Sequence, residues 1–297
     1  MTDKQKAYLS LHFCVLIWGF TAILGKLIQV SALPLVWWRV VLCVGLLVWL
    51  VPKEQRRLVE GRQAFRLLLI GALIGIHWIC FYGAVKLSNA SVAVASMAMT
   101  TLFASFTEPI ILRRKIIWYE LGLGILILPG MVLMVGDLDW GMKMGFGVGV
   151  LGALIAAVFT AYNKREIDLR PPPPLAMSLF ELSGAVLITS VALVLVRPTW
   201  ALVWPVGTDW VWLVVLAWVC TLLPHYLTLK AMRHISAFAT NLTINLEPVY
   251  GVLLAMFIFQ ENKSLPPNFY VGVVIVLLAV FSHPFLKRWL DRPLPRE

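Results

Sequence analysis

Ten long apolar runs, separated by short charged or turn-forming segments, constrain this chain more than any single residue does. They cover about 7–27, 33–51, 66–86, 88–112, 116–136, 144–164, 174–196, 210–230, 235–259 and 265–286. A bilayer core of about 30 Å needs roughly 20 helical residues at about 1.5 Å each. The runs match that length, and stretches such as 67–85 and 211–229 contain no Asp, Glu, Lys or Arg. Residues are 60% hydrophobic and only 13% charged, where soluble domains carry about 25% charged residues. The alternating pattern of a membrane β-barrel is absent. The expected fold class is an all-α integral membrane protein with ten transmembrane helices, arranged as two five-helix repeats.

Charge then orients the runs. Of the 25 Lys and Arg, 19 fall on the side of the N terminus and 5 on the other, with Arg39 inside the second run. By the positive-inside rule both termini lie in the cytoplasm, and the number of crossings is even. A multi-pass protein of a bacterial cytoplasmic membrane is the expected setting, with the lipid bilayer as one partner. The net charge of +10 comes from these short clusters rather than from a basic face, so nucleic acid is not an expected partner.

Equivalent loops of the two halves carry opposite signatures. The segment after the second run holds Lys53, Arg56, Arg57, Arg62 and Arg66, whereas the segment after the seventh holds Arg197 alone. A five-helix unit, duplicated, inverts in the membrane, and two inverted halves can alternately open a central site to each side. The expected halves are 1–140 and 141–297. Phe20-Thr21-Ala22 is echoed by Phe159-Thr160-Ala161, and Lys86 to Ala90 by Arg233 to Ala237. Glu108-Pro109 and Glu247-Pro248 look like a third echo but miss the register. Glu108 stands 22 residues after Lys86 and Glu247 stands 14 after Arg233, so the register partner of Glu247 is Thr100. The two Glu-Pro pairs are expected at different depths, with different roles.

The pattern resembles the drug/metabolite transporter superfamily, and within it a chain of two EamA-type domains. The segment from Ile235 to Tyr250 carries most of the likeness. It is followed by Phe259-Gln260-Glu261-Asn262, similar to the family's Gly-Glu turn before the last helix. Trp18-Gly19-Phe20 in the first run and Arg39 near the start of the second also fit. The resemblance implies ten helices with inverted pseudo-twofold symmetry, and a central cavity lined by helices 1, 3, 4, 6, 8 and 9. The chain departs from the pattern in three places: Arg114 stands at the position of Glu261, Thr101 at that of Pro248, and Gln260 where Gly is usual.

An ionisable side chain at the bilayer centre costs about 2.5–3.5 kcal/mol on insertion scales, so each needs a partner or a function. Glu247 lies roughly 18 Å into its run, close to the midplane, and Pro248 removes a backbone donor beside it. It reads either as a proton- or cation-binding group or as a neutral carboxyl fixing the ninth helix. Asn241 and Asn245 share a face of the same run. His77 is equally deep and changes charge near neutral pH, with Trp78 and Tyr82 close by; a hydrogen-bonded packing role is its alternative. His225 lies deeper towards the cytoplasm. Arg39 and Glu181 occupy near-equivalent places whose depths differ by about 10 Å, so no direct pair is expected. Arg39 either snorkels outward or attracts an anionic substrate group. Glu108 and Glu120, beside Arg113, Arg114 and Lys115, read as interface ion pairs. Most of the 13 Trp fall near run ends, as an aromatic belt would. Trp18 and Trp78 lie mid-run, and either stack on a substrate or fill the core.

The four cysteines sit inside apolar runs without CxxC spacing, so neither a metal site nor a cofactor is expected. Phosphate-loop, His-Glu-x-x-His and Gly-x-Ser-x-Gly motifs are missing. The reading is a non-enzymatic secondary transporter. It is expected to export amino acids or other small metabolites by alternating access, with proton coupling through Glu247 or His77. The substrate-binding set is Trp18, Thr21, Arg39, His77, Trp78, Tyr82, Thr100, Thr101, Thr160, Glu181, His225, Asn241, Asn245, Glu247 and Tyr250. A membrane-embedded enzyme acting on a lipid or quinone, and a non-transporting membrane subunit, are the alternatives; monomer and homodimer are both open.

Overall fold

A computed structural model describes residues 1–197, 203–244, 246–263 and 265–290, and these hold helices but no strand. The long helices are α1 (Asp3–Leu27), α2 (Ala32–Leu50), α3 (Gly61–Leu87), α4 (Ala90–Leu112), α5 (Trp118–Gly136), α6 (Trp140–Leu169), α7 (Pro174–Val196), α8 (Asp209–Ala231) and α9 (Ala237–Phe259). Among the described residues these nine are long and apolar enough to cross a membrane. A further helix, α10 (Pro267–Leu290), follows; its described apolar stretch, Pro267–Ala279, is shorter than a full crossing.

Local chemistry sets the ends. Thr2 and Gln5 form a reciprocal capping box at the start of α1. Asn89 and Asp139 accept backbone N–H bonds at 2.8 Å from Val92 and Met142 at the starts of α4 and α6. α7 starts on Pro174, where a missing N–H costs nothing. α4 and α9 both stop on a left-handed residue, Arg113 (φ 53°) and Gln260 (φ 54°). This pair has the same chain separation as Lys86 and Arg233, so the two halves share their helix ends as well as their sequence echo. The left-handed backbone at Gln260 shows why Gly is usual in this turn, since Gly adopts that conformation without a Cβ penalty.

Packing is inside-out relative to a soluble protein. Large apolar side chains such as Trp49, Val132, Leu195 and Phe257 are exposed on the flanks, while Arg39, Thr100, Glu181, Asn241 and Glu247 are buried. Lipid tails would cover the first set, and the second faces the interior. The four cysteines are buried as small core residues. Trp49, Trp118 and Trp140 are exposed near helix ends, as a belt requires. Trp37, Trp38, Trp204 and Trp210 instead pack on one another, with Trp38 centred 4.8–5.2 Å from the other three rings. α3 lies against α7 with no room between backbones. A methyl group at Gly71 would overlap the Glu181 carbonyl, and one at Gly184 would overlap that of Leu68.

Three helices are broken. α1 is interrupted at Gly19–Phe20, α4 between Ser96 and Met99, and α9 at Leu246. α8 contains a π-helical segment, Val215–Leu222. Irregular backbone at membrane depth is tolerated where it lines a cavity. The second segments of α4 and α9 begin at Met99 and Glu247, within a residue of the register that pairs Thr100 with Glu247.

Candidate functional site

The four irregularities surround one cavity. Trp18 and Thr21 flank the break in α1, Met97 and Thr100 the break in α4, and Ile244, Glu247 and Pro248 that in α9, while Thr221 stands on the π segment; all line the same space. It encloses about 990 Å³, counting its opening to solvent. α3 contributes His77, Trp78 and Phe81, α6 contributes Phe159, Thr160 and Asn163, and α8 adds His225 and Thr228. Arg39 of α2 completes the wall.

Arg39 is 2% exposed. Its guanidinium lies 4.1 Å from the centre of the Trp78 ring, a cation–π contact of about 0.5–2 kcal/mol. Nη1 donates to the Tyr82 hydroxyl at 3.0 Å, and Nε donates to Thr221 Oγ1. Thr221 Oγ1 in turn donates to the Leu216 carbonyl, five residues back, an acceptor made available by the π segment. Arg39 therefore turns into the cavity and does not snorkel outward. Among the described residues no carboxylate forms an ion pair with it.

Glu247 is 9% exposed and sits in the first turn of the second α9 segment, ahead of Pro248. The N-terminal end of a helix favours negative charge there. The Thr21 hydroxyl donates to the Trp18 carbonyl at 2.8 Å across the break in α1, and the Arg39 charge acts on Glu247 across the cavity. His77 is held by a 2.9 Å bond to the Gly152 carbonyl. Since a carbonyl only accepts, Nδ1 carries the hydrogen. His225 and Glu181 meet at 2.8 Å, with Glu181 fully buried.

Of the residues singled out in the sequence, Trp18, Thr21, Arg39, His77, Trp78, Thr100, Thr160, His225, Asn241 and Glu247 line the cavity. Tyr82 and Glu181 stand one layer behind, bonded to Arg39 and His225. Thr101 is buried outside the lining, and Tyr250 is 37% exposed on the flank beside Gly19. Asn245 lies outside the described residues. The lining follows helices 1, 3, 4, 6, 8 and 9, with α2 added through Arg39. Missed lining residues include Phe81, Phe159, Asn163, Thr221, Thr228 and Thr240. Asn163 shares the Thr160 face one turn on, so helical spacing could have found it. Thr221 is reached through π geometry that no sequence pattern announces.

A family model described as the EamA-like transporter family matches residues 5–136 and 143–282. The chain belongs to the EamA-like transporter family. The two matched blocks are two EamA repeats of the drug/metabolite transporter superfamily, in an integral multi-pass membrane protein. Curated protein sequences give no match. A solved structure described only as "Crystal structure of protein" superposes with a TM-score of 0.71 over 97% of this chain and 99% of that one, at 17% identity, so the two share their fold.

This EamA-like chain ties its repeats together at both ends of the helix bundle. At one end, Glu261 accepts from the Ser91 N–H at 3.0 Å, the Ser91 hydroxyl at 2.6 Å and the Ala90 N–H at 3.3 Å, all at the start of α4. Lys26 from the end of α1 pairs with it at 2.8 Å. Burial pushes the Glu261 carboxyl up, but the bonds from Lys26 and Ser91 outweigh this and hold it below the ordinary carboxylate value. At the opposite end, Glu108 accepts from the Phe238 N–H at the start of α9 and pairs with Arg114 at 2.9 Å. Phe238 is the register partner of Ser91. Arg114 stands in the register of Glu261, so the signs are exchanged while the arrangement is kept. Glu108 thus does the work of Glu261 and not that of Glu247, the different role its register implied.

Proposed function

We propose that this protein is a secondary carrier that exports amino acids or closely related small metabolites by alternating access. The observation that carries this reading is a buried cation, Arg39, with which no carboxylate among the described residues forms an ion pair, facing the same cavity as a buried acid, Glu247. A buried charge is expensive unless paired. A zwitterionic substrate supplies both counterparts, its carboxylate to Arg39 and its ammonium to Glu247. Trp18, Trp78, Phe81 and Phe159 offer apolar surface to a side chain. Asn241, whose Nδ2 has no hydrogen-bond partner among the described residues, offers a donor.

On this reading Trp18, Thr21, Arg39, His77, Trp78, Thr100, Thr160, His225, Asn241 and Glu247 contact substrate, with Asn245 extending the same face. Tyr82 and Glu181 act through their partners, and Thr101 and Tyr250 support the helix breaks. Glu247 or His77 carries a coupled proton. α10 completes ten crossings, the halves meet near residue 140 and are inverted, and the positive loops put both termini in the cytoplasm of a bacterium. Rocking of one repeat against the other, with the Glu261 and Glu108 ties opening in turn, exposes the cavity to each side.

A thermal-shift series in detergent tests the reading. Ligands that bind the native state raise its melting temperature by mass action. Amino acids are expected to stabilise the protein more than the matching amines or carboxylic acids. Arg39→Gln is expected to remove the preference for the carboxylate, and Glu247→Gln that for the ammonium. A panel in which amino acids give no shift, or in which both variants keep it, overturns the proposal.

A further inference from the structure

We propose that Glu181 and His225 together form a proton-binding site in the cavity wall, separate from Glu247 and His77. Glu181 of α7 is fully buried, and its Oε2 lies 2.8 Å from His225 Nε2 on α8. Its other oxygen, Oε1, accepts no hydrogen bond among the described residues. The carboxyl cannot retreat to water, because α7 is locked backbone-to-backbone on α3 at this residue through Gly71. His225 is the pair's contact with the cavity, so a proton enters and leaves through the imidazole.

The surrounding charges leave this pair dependent on its own proton. From α6, Glu166 lies near but is neutralised by Arg66 of α3, in two bonds of 2.6 and 3.0 Å. Asn163, also from α6, faces Glu181 with a neutral amide. From α2, Arg39 is turned towards Tyr82, Thr221 and Trp78, and Cys43 bonds the Ala217 carbonyl. From α1, the Cys14 thiol bonds the Pro224 carbonyl beside His225. From α3, His77 is tied to Gly152. None of these supplies a cation to Glu181. With one proton the pair is neutral overall, as carboxylate and imidazolium or as acid and imidazole. Without it a bare carboxylate remains fully buried, which is strongly unfavourable. The two groups therefore hold one proton jointly and titrate as a unit. α7 packs mainly on α3 and α8 mainly on α1, with α2 against both, so relative motion of α3 and α1 would change the 2.8 Å contact and with it the hold on the proton. The coupling role of this site rests on the carrier reading; its existence as a proton site does not.

Histidine ¹⁵N resonances of the purified protein, with His225 assigned through His225→Gln, test the site without any substrate. The His225 signal is expected to respond to pH, and Glu181→Gln is expected to change that response, while Glu247→Gln leaves it in place. A His225 signal that does not respond to pH, or whose response is the same with Glu181→Gln, overturns the proposal. If Glu181→Gln fails to fold, Glu181→Asp replaces it, and an unchanged response with the shortened side chain is the contrary result. In proteoliposomes, Glu181→Gln and His225→Gln are expected to lower accumulation driven by a pH gradient by a larger factor than they lower amino-acid counterflow. Counterflow without gradient-driven accumulation in the unmodified protein removes the coupling role. Absence of all counterflow refutes the carrier reading instead, and leaves the resonance experiment to decide the site.

Discussion

Replacing Glu261 by Gln should loosen the end of the bundle where α1 finishes and α4 begins, by a predictable amount. Glu261 is 3% exposed and accepts bonds from the Ala90 and Ser91 N–H groups, the Ser91 hydroxyl and Lys26. Gln has the same shape but presents an amide N–H₂ at one of the two acceptor positions. If that amide faces Ser91, a donor meets a donor. A buried charge-assisted hydrogen bond contributes about 1.5–3 kcal/mol. The Lys26 side chain is 38% exposed, so solvent screening limits its pair to about 1 kcal/mol at most. Together the loss is about 1.5–4 kcal/mol, or roughly 10- to 700-fold in the ratio of closed to open forms at tenfold per 1.4 kcal/mol. Hydrogen exchange of the peptide covering residues 88–96 reads this directly, because the protected amides are the ones Glu261 holds. Glu261→Gln should speed their exchange by that factor and leave residues 236–244 unchanged; Glu108→Gln should do the reverse. Unchanged exchange at Ala90 and Ser91 in folded Glu261→Gln protein would refute the reasoning.

Other consequences follow from the same geometry. Because Glu261 is held below the ordinary carboxylate value, its contribution to stability is full above that value and is lost as pH falls through the lowered one; exchange at Ser91 should accelerate only in that acid window, and the Gln variant should show no such step. Gln260→Gly should stabilise the protein by about 1 kcal/mol, since the left-handed φ of 54° is strained for a side chain and free for Gly; denaturation that occurs no later than in the parent would contradict this. Gly71→Val should destabilise by about 3 kcal/mol or more through collision with the Glu181 carbonyl, seen as a lowered melting temperature, whereas Gly122→Ala, which meets nothing within 4 Å, should be neutral.

Much of the scaffold could be read from apolar run length and loop charge, because a helix crossing lipid must satisfy its own backbone and carry an apolar flank. Register was equally informative: it separated Glu108 from Glu247, and the structure puts the former in an end tie and the latter in the cavity wall. Two kinds of feature stayed out of reach. Arg39 gave no sign of its direction, which depends on Trp78, Tyr82 and Thr221 converging from two other helices. The meeting of Glu181 with His225 depends on how closely Gly71 and Gly184 let α7 approach, a distance that sequence spacing does not encode. The helix breaks were visible only where Pro248 marked one; those at Gly19 and Met97 arise from packing around the cavity.

Counterflow of a labelled amino acid across proteoliposome membranes bears most directly on the claim that Arg39 and Glu247 hold the two ends of a transported zwitterion. The account predicts exchange by the unmodified protein, its loss in Arg39→Gln and Glu247→Gln, and its retention in Glu261→Gln at an altered rate. Amino-acid exchange that survives both cavity substitutions in folded protein, or that the unmodified protein fails to perform, would contradict it.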